Sequence, residues 1–596
     1  MRRTLVLALA LLLLPSSEAL ASRHGRDDGN GVTIIRDEYG VPHLHASSLR
    51  ALFYGVGYAQ GQDRLWQAET LRRAGTGTLA EWFGPGSLAS DVQARLMMGP
   101  PSRRAALLAG ASGEVQTVFE SFAEGMNAWI AQAGAAGLLP MEYAAFGVSP
   151  RPWTTDDSLA IYMLLGSQFG WFGSDELDNA MAYADLVARL GPEEGARAFA
   201  DTHWIEDPSA VTTDPARRAG PHRHGHGPAR LPDRIREAAE QCRDRTRGAE
   251  RALSEIGLHH GHMSNAVLIG PRMSADGHAL LMGGPQMGYS APQINHEMGL
   301  HGAGFEVTGM QIAGWPLLPI GVGRSYAWSL TSGGSDNSDI FALELNPANP
   351  GQYRYRGAWV DLDCRPETIA VAGGTAYAFE NATFGNEMTS YEAWLSLGRV
   401  RSFGEFRDQV SRVAYNFNVF YADADGNIAH FHAGRIPVRA AGANPLFPQP
   451  GDGTSDWQGT VPFERMPHAV NPAQGWLANW NNKPGPDWPN SSAGFWDWGP
   501  VHRVNTLRHV LRALRLLEKQ GARFDLIFVD PPYEGSAATL TLDALGSGSL
   551  LAPGGLVVVE HDRRNEPAEQ QGVLSLGERR KYGQTEVSFY EVRTNP

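Results

Sequence analysis

Cysteine is nearly absent from this sequence of 596 residues, which contains only Cys242 and Cys364. Two cysteines are too few for the disulfide framework that stabilises small secreted domains. Cys242 also lies in a segment that we expect to be excised, and its loss would leave Cys364 without an intrachain partner. A chain that is 42% hydrophobic with 69 glycines is instead typical of a globular protein of several domains or one large enzyme.

An excess of positive charge is also absent, because the formal net charge is -14. A general nucleic-acid-binding protein needs basic surface to neutralise phosphates, so this balance argues against that class. It favours a soluble enzyme, although it excludes neither local basic patches nor small substrates.

Long hydrophobic runs are missing after the first residues. Residues 1–21 contain Arg2 and Arg3, an apolar core from Leu5 to Leu14, and Ala19-Leu20-Ala21 before Ser22. This pattern is typical of an export signal, and the core is too short to anchor the chain across a bilayer. We therefore expect a signal peptide at 1–21 and a soluble, periplasmic or secreted product with no membrane association.

The rest of the chain changes character twice. Helical periodicity dominates from Ala105 to Leu165, and residues 215–262 are rich in histidine, arginine and charge. The histidines around His222 have no fixed ligand spacing, so disorder is favoured over a metal site. From Ser264 to about Trp480 the pattern is one of short strands separated by Gly and Pro turns. Helices followed by strands predict an α+β fold.

Ser264 stands at the start of an apolar, β-branched run, Ala266-Val267-Leu268-Ile269, that is typical of a buried strand. Other motifs follow in order: Gly284-Pro285-Gln286, Tyr326 to Gly333, Asp336-Asn337-Ser338-Asp339, and Asn479 to Pro484. Together they resemble the penicillin acylase (penicillin amidase) family over about residues 32–512.

The resemblance implies a four-layer αββα sandwich of the N-terminal nucleophile hydrolase type. It also implies a self-processing zymogen, cut into a heterodimer. The smaller subunit would be 22–214, the excised spacer 215–263, and the larger subunit 264–512, which is shorter than the family's usual one. An exposed, weakly structured spacer is where cutting is easiest.

The resemblance makes Ser264 the nucleophile. A serine hydroxyl needs a base, and an N-terminal residue carries its own α-amine with a pKa of about 7.7 to 8. That amine exists only after the Met263–Ser264 bond is broken. The hydroxyl would then attack an amide carbonyl, and water would hydrolyse the acyl-enzyme.

By the same resemblance, the oxyanion donors are the Asn481 side chain and the Ser332 backbone. Gln286 contributes its main chain near the amine, and Arg503 orients the asparagine. Taken alone, such an asparagine is usually a turn residue, and such an arginine a solvated surface group.

The loop containing Asp336, Ser338 and Asp339 is rich in the oxygen ligands that hard cations prefer, although alone it would more often be a capped turn. With Glu176 and the carbonyl of Pro445, it resembles the family's structural calcium site. Ser492 stands where the family often has a further carboxylate.

The acyl pocket is implied by Trp171 and Phe172 together with Met287, Ile320 and Leu330. Flexible or branched aliphatic residues at the last three positions suit aliphatic acyl groups as readily as aromatic ones. Penicillins, acylated homoserine lactones and other N-acyl amides all remain candidate small-molecule substrates, and a role in antibiotic metabolism is one of the options.

The tail, about 513–596, is different. Its Asp530-Pro531-Pro532-Tyr533 turn follows the strand-like run Phe524 to Val529. It resembles the C-terminal half of bacterial 16S rRNA guanine-N2 methyltransferases, whose fold is a doubly wound, Rossmann-like α/β sheet. The glycine-rich turn that cradles the cofactor should lie upstream, where acylase-like sequence stands instead. We therefore expect no S-adenosylmethionine binding by this methyltransferase-like fragment.

Three hypotheses follow: an exported, self-processing hydrolase of N-acyl amides; an RNA methyltransferase-related protein acting through its tail; and an inactive fusion. The first is favoured, and nucleic acid is not expected as a partner.

Overall fold

A computed structural model describes the protein at residues 26–27, 31–173, 175–203, 207, 209–214, 216, 235–256, 258, 263–274, 276–287, 292–362, 375–489, 498, 502–505, 507–508, 511, 523–529, 537–547, 551–562, 564, 566–582 and 585–592. Three of the predicted positions or motifs lie outside these residues: the signal peptide, Ser492, and the Asp530 to Tyr533 turn.

The helices in these ranges are concentrated in the first half of the chain, as the periodicity predicts. Their bounds are α1 (Leu49–Thr76), α2 (Ala80–Phe83), α3 (Leu88–Met98), α4 (Pro101–Ala109), α5 (Gly113–Ala136), α6 (Met141–Phe146), α7 (Thr155–Gly170), α8 (Glu176–Leu190), α9 (Pro192–Thr202), α10 (Ile235–Glu255), α11 (Glu387–Leu397), α12 (Phe403–Val410) and α13 (Ala537–Ser547).

Strands dominate the second half. Their bounds are β1 (Arg26–Asp27), β2 (Val32–Arg36), β3 (Pro42–Ala46), β4 (Met263–Ile269), β5 (Leu280–Gln286), β6 (Asn295–Gly302), β7 (Phe305–Ile312), β8 (Ile320–Gly323), β9 (Tyr326–Ser332), β10 (Ser338–Asn346), β11 (Asn349–Tyr355), β12 (Ala358–Asp361), β13 (Thr375–Asn381), β14 (Phe417–Asp423), β15 (Ile428–Ala433), β16 (Gln449–Pro450), β17 (His468–Val470), β18 (Trp476–Asn479), β19 (Phe524–Val529), β20 (Leu551–Asp562), β21 (Gln570–Gln571), β22 (Leu574–Tyr582) and β23 (Thr585–Val592).

The largest sheet has ten strands in the order β1-β2-β3-β6-β7-β8-β9-β14-β15-β17. Helix α1 packs against it and begins at Ser48, whose hydroxyl accepts a hydrogen bond from the Ala51 N–H at 3.2 Å. Helix α5 crosses α1 closely because two glycines face the partner backbone. A Cβ on Gly57 would lie 2.1 Å from the Phe122 carbonyl oxygen, and one on Gly125 would lie 1.9 Å from that of Tyr54. Any larger residue would force the helices apart.

A three-stranded sheet in the order β18-β4-β5 faces the large one. The side chains of β4 alternate between two cores, as the period of two in a strand requires. Ala266 and Leu268 pack with Phe420 of the large sheet. Val267 and Ile269 pack on the opposite face against a cluster that includes Val504, Leu507 and Leu511, which have helical backbone.

The layers are therefore helices, large sheet, small sheet and a short helical segment. The expectation of an α+β, four-layer αββα sandwich is confirmed, and the start of β4 lies between its two sheets.

The interval predicted as a spacer contains α10, a helix with an alanine-rich packed face. Ala252 and Leu253 are buried in the main core, and the Arg243 guanidinium lies 2.8 Å from the Asp178 carboxylate. The argument that an exposed spacer is easily cut therefore does not apply to residues 235–255. The histidines around His222 lie outside the described residues.

The tail has its own small core, which includes Leu542, Val557 and Tyr590. Its five strands follow the order β19-β20-β23-β22-β21, and β19 pairs with β20 in parallel. Strand β19 is the edge, and Phe528 on it is 73% exposed. A parallel strand is usually buried on both faces, so this exposure is what half of a doubly wound sheet would show.

None of the helices in the described ranges combines the length and the apolarity needed to cross a bilayer.

Candidate active site

Ser264 lies at the start of β4, the central strand of the small sheet, and only 7% of its surface is exposed. It pairs with Pro285 of β5 on one side. On the other side Asn479 of β18 pairs with Ala266. Continuing that antiparallel register by two residues places Asn481 opposite Ser264. The two polar residues, 217 positions apart in the chain, therefore meet because of strand pairing.

Asn481 forms two hydrogen bonds with Ser264. The Ser264 backbone N–H donates to the Asn481 Oδ1 at 3.0 Å, and the Asn481 Nδ2 donates to the Ser264 Oγ at 3.1 Å. Asn481 has a left-handed backbone with φ of 58°, a region that asparagine tolerates better than most residues. The Trp498 Nε1 donates to the Asn481 carbonyl oxygen at 3.0 Å and helps to hold this conformation.

Arg503 and Ser332 complete the surroundings of the Asn481 amide. The Arg503 guanidinium donates to the Asn481 Oδ1 at 3.1 Å, which polarises the amide and favours donation from its Nδ2. Burial lowers the pKa of Arg503 from its ordinary value. The Ser332 carbonyl oxygen lies 3.4 Å from the Asn481 Nδ2. The sequence-predicted group of Ser264, Asn481, Ser332 and Arg503 is thus brought together.

Gln286 is at the same end of the small sheet. Its backbone pairs with Met263, one residue before Ser264. Its side-chain Oε1 accepts a hydrogen bond from the Trp480 Nε1 at 2.8 Å, and the Arg503 guanidinium lies 5.7 Å from the Trp480 ring centre. Trp480 therefore contacts both Gln286 and Arg503 next to the serine.

The predicted pocket residues are only partly brought together. Trp171, Met287 and Leu330 pack at the edge of the same apolar core. Phe172 instead packs on a second cluster that includes Trp488 and Trp498. Ile320 is half-buried at the start of β8, and its backbone pairs with Met310.

Four of the predicted calcium ligands, Glu176, Asp336, Ser338 and Asp339, lie at a junction between the early helices and the later strands. The Ser338 Oγ donates to the Phe172 carbonyl oxygen at 3.0 Å, and Pro445 is buried. We name Glu176, Asp336 and Asp339 the carboxylate cluster; Glu176 is fully buried at the start of α8. Burial, and then the charges of the two aspartates, raise the pKa of the Glu176 carboxyl well above its ordinary value.

Arg439 neutralises part of the carboxylate cluster. Its guanidinium lies 2.8 Å from Asp339 and 3.0 Å from Asp336. Neither buried oxygen of Glu176 accepts a hydrogen bond from another residue in the described ranges. These oxygens suit a hard cation such as calcium in their chemistry. In the described ranges, however, no group of three or more His, Cys, Asp or Glu side chains is arranged to hold a metal ion. Arg439 pairs with both aspartates instead.

Sequence reasoning missed a set of buried polar residues beneath Ser332. We name this set the neutral layer, and it comprises Thr331, Asn418, His430, His432 and Asn479, all of which are 0% exposed. A signal was available in the strands β14 and β15, where Asn416-Phe417-Asn418 and His430-Phe431-His432 alternate polar and apolar residues. On a strand this places the polar residues on one face.

Comparison with known proteins indicates the family to which the chain belongs. The family model for penicillin amidase matches residues 31–526. The chain belongs to the penicillin amidase family.

Two curated relatives illustrate the range of named activities. Penicillin G acylase of Escherichia coli is 33% identical over 531 residues, covering 80% of this chain and 62% of that protein. The acyl-homoserine lactone acylase QuiP of Pseudomonas fluorescens is 26% identical over 483 residues, covering 76% of this chain and 56% of the relative. The chain thus spans less than two thirds of the length of either relative.

Solved structures give weaker matches. The thermostable penicillin G acylase of Alcaligenes faecalis is 30% identical, covers 47% of this chain and 58% of its own, and has a TM-score of 0.39.

The tail has separate matches. The family model for conserved hypothetical protein 95 matches residues 501–591 and so overlaps the first model at 501–526. The putative methyltransferase yhhF from Escherichia coli is 22% identical over 16% of this chain and 60% of its own, with a TM-score of 0.13. The tail thus matches a family model of its own, and the two family matches overlap between residues 501 and 526.

Proposed function

We propose that this chain is an exported, self-processing hydrolase that cleaves the amide bond of small N-acyl substrates with Ser264 as its nucleophile. The observation that carries the proposal is the pair of hydrogen bonds between Asn481 and Ser264, because they place an amide donor 3.1 Å from the hydroxyl that would attack. Membership of the penicillin amidase family supports the same reaction class.

The first step is removal of the peptide bond between Met263 and Ser264. Cleavage converts the Ser264 N–H into a free amine, whose pKa of about 7.7 to 8 suits a base working at neutral pH. Asn481 Oδ1 already accepts from this nitrogen at 3.0 Å and continues to orient it after cleavage. Cleavage therefore creates the base at a nitrogen that Asn481 already orients.

The reaction then proceeds through an acyl-enzyme. The Ser264 Oγ attacks the substrate carbonyl while its proton passes through a water molecule to the α-amine. The resulting oxyanion accepts hydrogen bonds from the Asn481 Nδ2 and the Ser332 backbone N–H. The C–N bond breaks, the leaving amine takes the proton, and a second water hydrolyses the ester to release the acid and restore Ser264.

The acyl group of the substrate is apolar. Trp171, Met287 and Leu330 pack against the same apolar core, and methionine and leucine accept straight aliphatic chains as well as aromatic rings. Penicillin-like β-lactams with hydrophobic side chains and N-acyl homoserine lactones both meet this requirement, as do other N-acyl amides. The names of the relatives support the first two classes.

The mature protein is a heterodimer of two pieces of this chain. The segment before the spacer is bound directly to the loop after β18, which carries Asn481. The Thr213 N–H donates to the Lys483 carbonyl at 2.9 Å, and the Asp214 N–H donates to that of Pro484 at 2.8 Å. These bonds would hold the new C-terminus after a cut near residue 215. Calcium bound by Glu176, Asp336, Ser338, Asp339 and Pro445 would join the same two pieces.

Mass spectrometry of the purified protein, combined with turnover of a chromogenic aliphatic or phenylacetyl anilide, tests the proposal. The expected result is one polypeptide beginning at Ser264, a second ending near residue 214, and turnover. Ser264→Ala should leave the chain uncut and lower turnover at least a thousandfold. The matched control, Ser274→Ala, changes a serine outside the site and should process and turn over normally. An uncut wild-type chain with full activity contradicts the proposal.

The tail is proposed to have no methyltransferase activity. Its match begins at residue 501, after the acylase-like sequence that replaces the cofactor-binding turn. Isothermal calorimetry with S-adenosylmethionine should therefore show no heat of binding, and a saturable signal would revive the alternative of an RNA methyltransferase.

A further inference from the structure

The neutral layer contains an asparagine that contacts the Ser332 peptide, one of the two groups expected to stabilise the oxyanion. Asn418 of β14 pairs with Thr331 of β9 in the large sheet. Its Nδ2 donates to the Thr331 Oγ1 and to the Ser332 carbonyl oxygen, both at 3.2 Å. Both hydrogens of this amide are therefore committed to the end of β9, where Ser332 lies.

The other end of the Asn418 amide is held by two histidines. Its Oδ1 lies 3.1 Å from the His430 Nε2 and 2.8 Å from the His432 Nδ1. A carbonyl oxygen only accepts, so both ring nitrogens must carry a proton. This requirement determines which tautomer each histidine adopts.

His432 is neutral in this arrangement. Its second nitrogen, Nε2, lies 3.1 Å from the Asn416 Nδ2, which only donates, and 2.7 Å from the Ser335 Oγ. The Asn416 Nδ2 also donates to the Ala433 carbonyl at 2.8 Å, which confirms the orientation of that amide. The His432 Nε2 is therefore an acceptor, and burial lowers the pKa of His432 to about 3. Every polar atom of the Asn418 amide thus has one allowed role.

Two chains of hydrogen bonds lead from Asn418 to Asn481. In the first, the Ser332 carbonyl that Asn418 holds also accepts from the Asn481 Nδ2 at 3.4 Å. In the second, the Thr331 Oγ1 donates to the Asn479 Oδ1 at 2.8 Å, and that oxygen accepts the Asn481 backbone N–H at 2.9 Å. Asn418 is the residue from which both chains start.

We propose that Asn418, oriented by His430 and His432, is a positioning residue that aligns the Ser332 peptide and the Asn481 amide for oxyanion stabilisation. The proposal rests on the function proposed above. Asn418 does not touch the reacting atoms, and it acts by removing rotational freedom from donors that must already point at the oxyanion when charge develops.

Asn418→Ser tests this role because serine is too short to span from the histidines to Ser332. In the processed, full-length enzyme, kcat for a chromogenic anilide should fall at least tenfold while KM stays within threefold. The affinity for a boronic acid that forms a tetrahedral adduct with Ser264 should fall by the same factor as kcat. A role in stability alone would lower the unfolding midpoint and leave both quantities unchanged, which would overturn the proposal.

Asn127→Ser is the matched control. Asn127 also bridges backbone groups, since its Nδ2 donates to the Trp153 carbonyl at 2.9 Å and its Oδ1 accepts the Trp153 N–H at 2.6 Å. It lies in α5, outside the site. Its replacement should lower stability but leave kcat and boronate affinity within twofold of the wild type. An equal loss of kcat in both variants would count against a specific role for Asn418.

Thr331→Val decides the question if Asn418→Ser does not fold. Valine keeps the shape of threonine but removes the oxygen that joins Asn418 to Asn479. A threefold or larger fall in kcat and boronate affinity supports the proposal, and unchanged values reject it. Failure of the proposed function itself is distinguishable, because the wild-type protein would then lack both turnover and a chain that begins at Ser264.

Discussion

The neutral layer beneath Ser332 and the carboxylate cluster at Glu176 are both buried, but they solve the problem of burying polar groups differently. The neutral layer pairs amides, hydroxyls and neutral imidazoles, with almost every donor matched to an acceptor. The carboxylate cluster places three acids beside one guanidinium and leaves both oxygens of Glu176 without a hydrogen bond from another residue in the described ranges. The difference indicates that the polar groups of the first region mostly satisfy one another, whereas the second keeps two buried carboxylate oxygens that suit the hard cation proposed above.

Asn481→Ala should have the largest effect, because Asn481 is the residue beside Ser264 to which the neutral layer is hydrogen-bonded. It removes the donor that lies 3.1 Å from the Ser264 hydroxyl. Loss of one oxyanion donor typically lowers kcat by about 100-fold to 1,000-fold, or roughly 2.7 to 4 kcal/mol. Steady-state kinetics on the processed enzyme measures the change. A drop confined to KM would show that Asn481 binds substrate without stabilising the transition state.

Glu176→Gln sharpens the comparison by removing one charge from the carboxylate cluster. In the presence of a chelator the variant should unfold at a higher temperature than the wild type, by a few degrees, because burial disfavours the charged carboxylate of Glu176 and a neutral amide avoids that cost. In added calcium the wild type should gain stability and the variant should gain less. Thermal unfolding in the two buffers measures both effects.

Glu387→Gln is the control for that experiment. Glu387 is also fully buried, but its carboxylate pairs with Arg103 at 2.5 Å. Breaking this pair should destabilise the protein by about 3 to 5 kcal/mol in either buffer. If Glu176→Gln also destabilised the protein equally in both buffers, the result would contradict calcium binding at the carboxylate cluster.

The neutral layer should make the protein sensitive to acid. The pKa of His432 is lowered from 6.5 to about 3 by burial, so between these pH values the unfolded chain binds a proton that the folded protein does not. Stability from this group is complete above pH 6.5 and is lost as the pH falls towards 3, by about 1 kcal/mol per pH unit. His432→Gln should flatten the slope of unfolding free energy against pH between about 6 and 4. An unchanged slope would show that other groups dominate acid unfolding.

The smallest effect is expected in the tail. Phe528→Lys changes a side chain that is 73% exposed on the edge strand β19, and it should leave turnover and the main unfolding transition unchanged. Leu542→Ala is the contrasting variant, because Leu542 is fully buried in the tail core and its truncation should cost about 2 to 5 kcal/mol there. Differential scanning calorimetry reports both. A loss of turnover in Phe528→Lys would show that the tail supports the hydrolase.

The residues that could be predicted are those that lie in recognisable short sequence motifs. Ser264 precedes a run of β-branched and apolar residues, and Asn481 lies in a short motif of fixed composition, so both stand out as sequence features. Helices followed by strands were sufficient to predict an α+β layout. The positions of Gln286 and Arg503 beside the site also agree with the predicted group, although their roles stay predictions.

The residues that could not be predicted act across strands. Asn418, His430 and His432 are separated from Asn481 by about 50 to 60 positions. They are linked to it only because β14 pairs with β9, which ends at Ser332 beside Asn481. Arg439 gives no local sign that it pairs with Asp336 and Asp339. The charged segment that contains α10 was expected to be weakly structured, but its alanine-rich face packs into the core because neighbouring helices provide an apolar surface.

The sequence by itself determined the fold class, because periodicity is a local property, and its resemblance to the penicillin acylase family predicted Ser264 and Asn481 as the reactive pair. Only the tertiary structure decided which amide points at Ser264, which tautomer each buried histidine adopts and which carboxylates share one arginine. These properties depend on strand register, and a shift of one residue would turn each of these side chains to the opposite face of its sheet.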